Sequence, residues 1–96
     1  MELPEKIDIL GITYEIRLVD VIDHNPNLVG HISCPYQTIQ IKASLPDDQK
    51  MQTFIHEVLH GIDEGLGFPL NSMEDEQLVQ QIATGFNQTF GRYIVF

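Results

Sequence analysis

Between Ala43 and Asp47 the apolar residues of this chain change period, from two to about 3.6. The switch puts the strands first and the helices after them. From Lys6 to Asp20, Ile7 and Ile9 alternate with Lys6 and Asp8. Beyond Leu10-Gly11, Ile12, Tyr14, Ile16 and Leu18 alternate with Thr13, Glu15 and Arg17. β-Branched and aromatic residues at period two predict half-buried strands, with a tight turn or bulge at Leu10-Gly11. Asp23-His24-Asn25-Pro26-Asn27 is a run of turn formers and reads as a loop. A second β region covers Leu28 to Ala43, with Ile32 in phase with Gly30 and a clean alternation over Thr38-Ile39-Gln40-Ile41-Lys42. Ser33-Cys34-Pro35-Tyr36 interrupts it, because Pro35 has no N–H for a ladder, and the result is a hairpin.

Helical spacing then takes over. Ser44 is the expected N-cap, with Pro46 just inside the start and Asp47 three residues on. Met51, Ile55, Val58 and Ile62 form an apolar stripe, widened by Phe54 and Leu59, and Gly65, Gly67 and Pro69 end the helix. A second helix begins after Asn71 or Ser72, either of which can cap it. Leu78, Val79, Ile82, Ala83, Phe86 and Phe90 mark its buried face, and Gly91 stops it. Tyr93-Ile94-Val95-Phe96 reads as a short strand or a tail on the core. Strands followed by helices predict an α+β domain with a small antiparallel sheet of hairpins. At 96 residues the chain is expected to form a single domain over 1–96.

Charge excludes several partners. Five Lys and Arg stand against fourteen Asp and Glu, a net charge of −9, and Lys6, Arg17, Lys42, Lys50 and Arg92 are scattered. A phosphate backbone or an anionic membrane needs clustered cations, so neither nucleic acid nor membrane is expected as a partner. Cys34 is the only cysteine, which rules out an internal disulfide and a Cys-paired zinc site. The start, Met-Glu-Leu-Pro-Glu-Lys, lacks the pattern of a signal peptide, and no apolar run reaches the roughly 18 residues of a membrane span. The expected location is cytoplasmic. The oligomeric state has no signature in the sequence.

The chemistry lies in His56-Glu57-Val58-Leu59-His60. Histidines four apart share one helix face, so two imidazoles can converge on one zinc ion. Glu57 is offset by about 100° around the helix and can lean beside the ion without binding it. There its carboxylate can act as general base on zinc-bound water, whose acidity the metal raises. A random shuffle of this composition gives the motif in about one sequence in a hundred, so its weight comes from its place on a capped amphipathic helix.

A catalytic zinc needs a third protein ligand, and no histidine follows His60. The candidates are Asp63, Glu64, Glu74, Asp75 and Glu76. Asp63 and Glu64 share the helix of His56 and His60, and three ligands along one straight helix diverge over about 12 Å. Glu74 and Asp75 suit the capping role at the start of the second helix. Glu76 lies three residues before Val79 and seven before Ala83, on the core-facing side, and is the preferred ligand.

Lys6–Glu15, Gly30-His31-Ile32, Thr38–Ile41, the stretch Gln52–Asp63 around the motif, and Glu76-Gln77-Leu78-Val79 through Ala83 together resemble small bacterial and phage zinc metallopeptidases. The likeness is to ImmA/IrrE-like proteins and minimal gluzincins. It implies a zincin-like core, with a small sheet beside the active-site helix and a second helix carrying the glutamate. It also implies zinc on His56, His60 and Glu76, with Glu57 as general base, and a phage or mobile-element origin. The chain departs from the family in lacking a long N-terminal helix and an appended recognition domain. For the oxyanion it offers His31, Tyr36 and Tyr93, each of which reads first as an ordinary strand or core residue.

The expectation is therefore a zinc-dependent metallopeptidase acting on a peptide or protein substrate. The alternative is a catalytically inactive zinc-binding interaction module, and a third reading is a metal-free acidic interaction protein. Cys34 has no basic neighbour in sequence and is not expected to be a reactive thiol.

Overall fold

The computed structural model describes residues 3–66 and 73–90. Four strands, β1 (Lys6–Ile9), β2 (Ile12–Val19), β3 (Gly30–Ser33) and β4 (Thr38–Lys42), precede two helices, α1 (Asp47–Leu66) and α2 (Met73–Phe90). The α+β order read from the hydrophobic periods is thus present. Ile9, Tyr14, Ile39 and Ile41 from the sheet meet Met51, Phe54 and Ile55 of α1 and Ala83 of α2 in one buried cluster. Val58, Leu59 and Ile62 pack around it. No helix among the described residues is long and apolar enough to cross a membrane.

The expectation of an antiparallel sheet fails at its centre. The strand order is β1-β2-β4-β3, and β2 runs parallel to β4, with Glu15 opposite Thr38 and Val19 opposite Lys42. The two hairpins are antiparallel as expected. The cause is the connection over residues 20–29. It carries the chain past the end of β4 to the far edge, so that β4 returns inside the hairpin, alongside β2. Ile22, fully buried, and the bond from Lys42 Nζ to Pro26 O at 3.0 Å tie this connection down. β3 is consequently an edge strand, and it lies against α1.

Two local expectations shift. α1 begins at Asp47, so Ser44 lies in the preceding turn, where Leu45 N–H bonds Lys42 O, and is not the N-cap. Pro46 supplies the carbonyl for the first helical bond, from Lys50 N–H at 2.8 Å. On α2, Val79 and Ala83 are buried, but Leu78, Ile82 and Phe86 are between 43% and 48% exposed. The reason is that α2 packs mainly on α1, through a narrow stripe, and does not cover the sheet. The capping candidates Asn71 and Ser72, the helix-ending Gly67, Pro69 and Gly91, and the tail 93–96 lie outside the described residues, as does the side chain of Phe90.

The β1–β2 turn places Leu10 at φ 52° and Gly11 at φ 86°. Two left-handed residues make a type I′ turn, which suits the strand twist but is costly for a leucine. Gly11 N–H bonds Asp8 Oδ1 at 2.8 Å. Leu10→Asn should raise stability by about 1 kcal/mol, read as a higher urea midpoint at unchanged slope. A lower midpoint would mean that the leucine side chain contributes more than its backbone strain costs.

Candidate metal centre

α1 carries His56 and His60 one turn apart, both partly buried, on the side facing α2. α2 brings Glu76, about half exposed, across to them. His56 Nε2 lies 3.2 Å from His60 Nε2 and 3.1 Å from Glu76 Oε2, and His60 Nε2 lies against Glu76 Oε1. One ligand atom from each residue falls within 4.8 Å of the others. On the far side of its ring, His56 Nδ1 donates to Gln80 Oε1 at 2.8 Å. That bond fixes the ring so that Nε2 faces the cluster.

This donor set fits a zinc ion. Tetrahedral bonds of about 2.0–2.1 Å set neighbouring ligand atoms roughly 3.3 Å apart, close to the spacings of His56 with its two neighbours. Two imidazoles and a carboxylate facing one another are a donor set that suits a zinc ion.

Glu57 faces β3, beside Gly30. It is the one charged residue in the interior among the described residues, with 8% of its surface exposed. The Ile32 backbone N–H donates to its carboxylate. Burial pushes its pKa up to about 7 from the ordinary 4.5; the nearby Glu76 charge raises it further, while His56 and the Ile32 bond oppose the rise. Gly30 makes this contact possible: a Cβ there would stand 2.5 Å from Thr53 Cγ2 and 3.2 Å from Glu57 Oε2. Gly30→Ala should cost about 1–3 kcal/mol and displace Glu57, and adding Thr53→Ser should recover part of the loss. Thermal unfolding of the three proteins checks it; no loss in Gly30→Ala means β3 can move aside freely.

The three groups open on a cleft of about 830 Å³ between β3 and α1. β3 runs in the direction of α1: Gly30 sits by Thr53 and Glu57, Ile32 by Gly61, and Cys34 by Glu64. The bond from Lys42 N–H to Val29 O sets the phase of the β3–β4 ladder. Alternation then turns the backbone groups of Gly30 and Ile32 outward, to the open edge facing the cleft.

Of the residues singled out in the sequence, His56, His60 and Glu76 are brought together, with Glu57 beside them. Asp63 and Glu64 line the same cleft but do not join the cluster, and Asp75 is likewise outside it. The side chain of Glu74 lies outside the described ones. His24 sits at φ 57° in its exposed loop, away from the cluster. His31 is exposed, at the rim of the cleft, and Tyr36 is 82% exposed and does not line it. Tyr93 lies outside the described residues. Cys34 accepts a hydrogen bond from Tyr14 Oη at 3.3 Å, and burial pushes its thiol pKa up, which leaves it a poor nucleophile. Sequence reasoning missed Gln80 and Gly30. Gln80 was findable, being one helical turn after Glu76, whereas Gly30 had no signal without the position of β3 on α1.

No family model, curated protein or solved structure matches this chain.

Proposed function

We propose that this chain is a zinc-dependent metallopeptidase with a zincin-like arrangement, of cytoplasmic and phage or mobile-element character. One observation carries the reading: ligand atoms from two helices converge within 4.8 Å at the mouth of a cleft that also holds a buried carboxylate. His56, His60 and Glu76 would hold the metal. When bound, zinc acts as a Lewis acid toward a carbonyl oxygen and makes water acidic near neutral pH.

The chain's own residues do the rest. Glu57 takes a proton from the attacking water as its oxygen adds to the scissile carbonyl carbon. It then gives that proton to the nitrogen that leaves as the C–N bond breaks. A carboxylate with a raised pKa is better matched to both transfers at neutral pH than an ordinary one. The backbone groups of Gly30 and the carbonyl of Ile32, turned to the cleft, suit an extended peptide added as a further strand, while the Ile32 N–H is held by Glu57.

A second reading, in which the same ligands staple the fold without catalysis, is favoured by one feature. Among the described residues no tyrosine lines the cleft, and His31 at its rim is the nearest substitute for an oxyanion donor. Zinc-loaded protein incubated with a peptide library, with products read by mass spectrometry, separates the two. Cleavage that stops on chelation supports the peptidase. One zinc per chain with no cleavage of any peptide supports the staple.

A further inference from the structure

The contact between α1 and α2 is a polar ladder with three rungs. Gln52 Nε2 donates to Thr84 Oγ1 at 2.8 Å, His56 pairs with Gln80, and His60 pairs with Glu76. Each step of four residues forward on α1 is matched by four back on α2. The rungs are therefore one turn, about 6 Å, apart along an antiparallel pair of helices. Two of the rungs contain the candidate metal ligands. The Gln52–Thr84 rung contains none and lies at the end of the ladder farthest from Glu76.

Val79 and Ala83 are the only fully buried side chains described on α2. Apolar contact is non-directional, and a small side chain such as Ala83 gives little shape to hold one pitch against the next. Hydrogen bonds are directional and fail over less than an ångström of misplacement. Register matters to the metal centre, because a slip of one turn would present the neutral amide of Gln80 to His60 in place of a carboxylate. Thr84 is itself oriented by its own helix. Its hydroxyl donates to Gln80 O at 2.8 Å, which turns its lone pairs toward Gln52.

We propose that Gln52 and Thr84 are positioning residues, whose hydrogen bond sets the register of α2 on α1 and so decides where the Glu76 carboxylate meets the two histidines. The proposal rests on the zinc reading, and its test keeps the two apart. Zinc affinity is measured by competition with a chromophoric chelator, and site geometry by the visible absorption of the cobalt-substituted protein. Gln52→Leu and Thr84→Val should each weaken zinc binding about tenfold, the low end of what loss of a group bonded directly to a ligand costs, since this rung acts on Glu76 only through register, and should alter the cobalt bands. Thr84→Ser, which keeps the hydroxyl, should restore both. The double variant should be no worse than either single one, because both remove the same bond.

Ile41→Val is the control for general loss of stability: it weakens the sheet core and should leave zinc affinity and the cobalt bands unchanged. Affinity within twofold of wild type and an unchanged spectrum in Gln52→Leu overturn the proposal while leaving the zinc reading intact. Should the wild-type chain bind neither ion, the zinc reading fails, and hydrogen exchange on α2 decides the rung. Faster α2 exchange in Gln52→Leu than in Ile41→Val supports the register role, and equal exchange overturns it.

Discussion

Glu57→Gln should lower peptide cleavage by about 10²–10⁴-fold or more while leaving zinc bound, because a general base contributes that much and Glu57 is not among the ligands. The same substitution should make the metal-free protein more stable above pH 7. The Glu57 carboxyl has its pKa pushed up to about 7 in the fold against an ordinary 4.5. Between those values the folded chain holds a proton that the unfolded chain has released. Stability therefore falls as pH rises through this window. Above pH 7 the fold bears the whole cost of a buried anion, of order 3 kcal/mol. Glutamine has no proton to lose. The gap between variant and wild type should open as pH rises through 4.5–7 and close below it. Urea unfolding in the presence of a chelator at pH 5, 6, 7 and 8 reads this directly. Parallel pH profiles would show that Glu57 is not held in the way its burial implies.

Loss of the metal should have the second large effect. The wild-type chain should bind one zinc, and His56→Ala, His60→Ala and Glu76→Ala should each lose it at zinc levels that saturate the wild type. At a thousandfold excess over Kd, a ligand bound only to the folded state stabilises it by about 4 kcal/mol. For a domain of this size each kcal/mol moves Tm by about 4–8 °C, so a chelator should lower Tm by roughly 15–30 °C. In the three alanine variants it should move Tm little. Elemental analysis after dialysis, with calorimetry beside it, gives both numbers. Zinc retained at wild-type affinity in Glu76→Ala would move the third ligand to another carboxylate. A chelator with no effect on the wild type would overturn the metal site.

The elements were readable where the hydrophobic period is strong. Ile12, Tyr14, Ile16 and Leu18 mark β2, and Met51, Phe54 and Ile55 mark the buried side of α1. The two histidines and Glu57 were readable because helical geometry alone relates them. Glu76 was readable from its phase with Val79 and Ala83. The parallel pairing of β2 and β4 was not, because alternation reports which face of a strand is buried and says nothing of its neighbour. Nor was the exposure of Leu78, Ile82 and Phe86. An apolar residue marks a face that can be buried, and only the second layer decides whether it is. Gly30 belongs to the same class: its need for a bare Cα exists only where two elements distant in sequence touch.

The parallel centre of the sheet also sets an order of assembly. The β1–β2 hairpin needs only neighbouring residues, but β4 can reach its place beside β2 only after residues 20–29 have closed into a loop, a step that loses chain entropy before any pairing compensates for it. The edge that faces the cleft belongs to the second hairpin, β3–β4, which closes over neighbouring residues as β1–β2 does and joins the sheet only through that later β2–β4 pairing. A chain in which the β2–β4 pairing has not formed would lack a sheet that sets β3 in its place along α1, beside the histidines. Under the proposed activity, indiscriminate cutting would be withheld until the topology is complete.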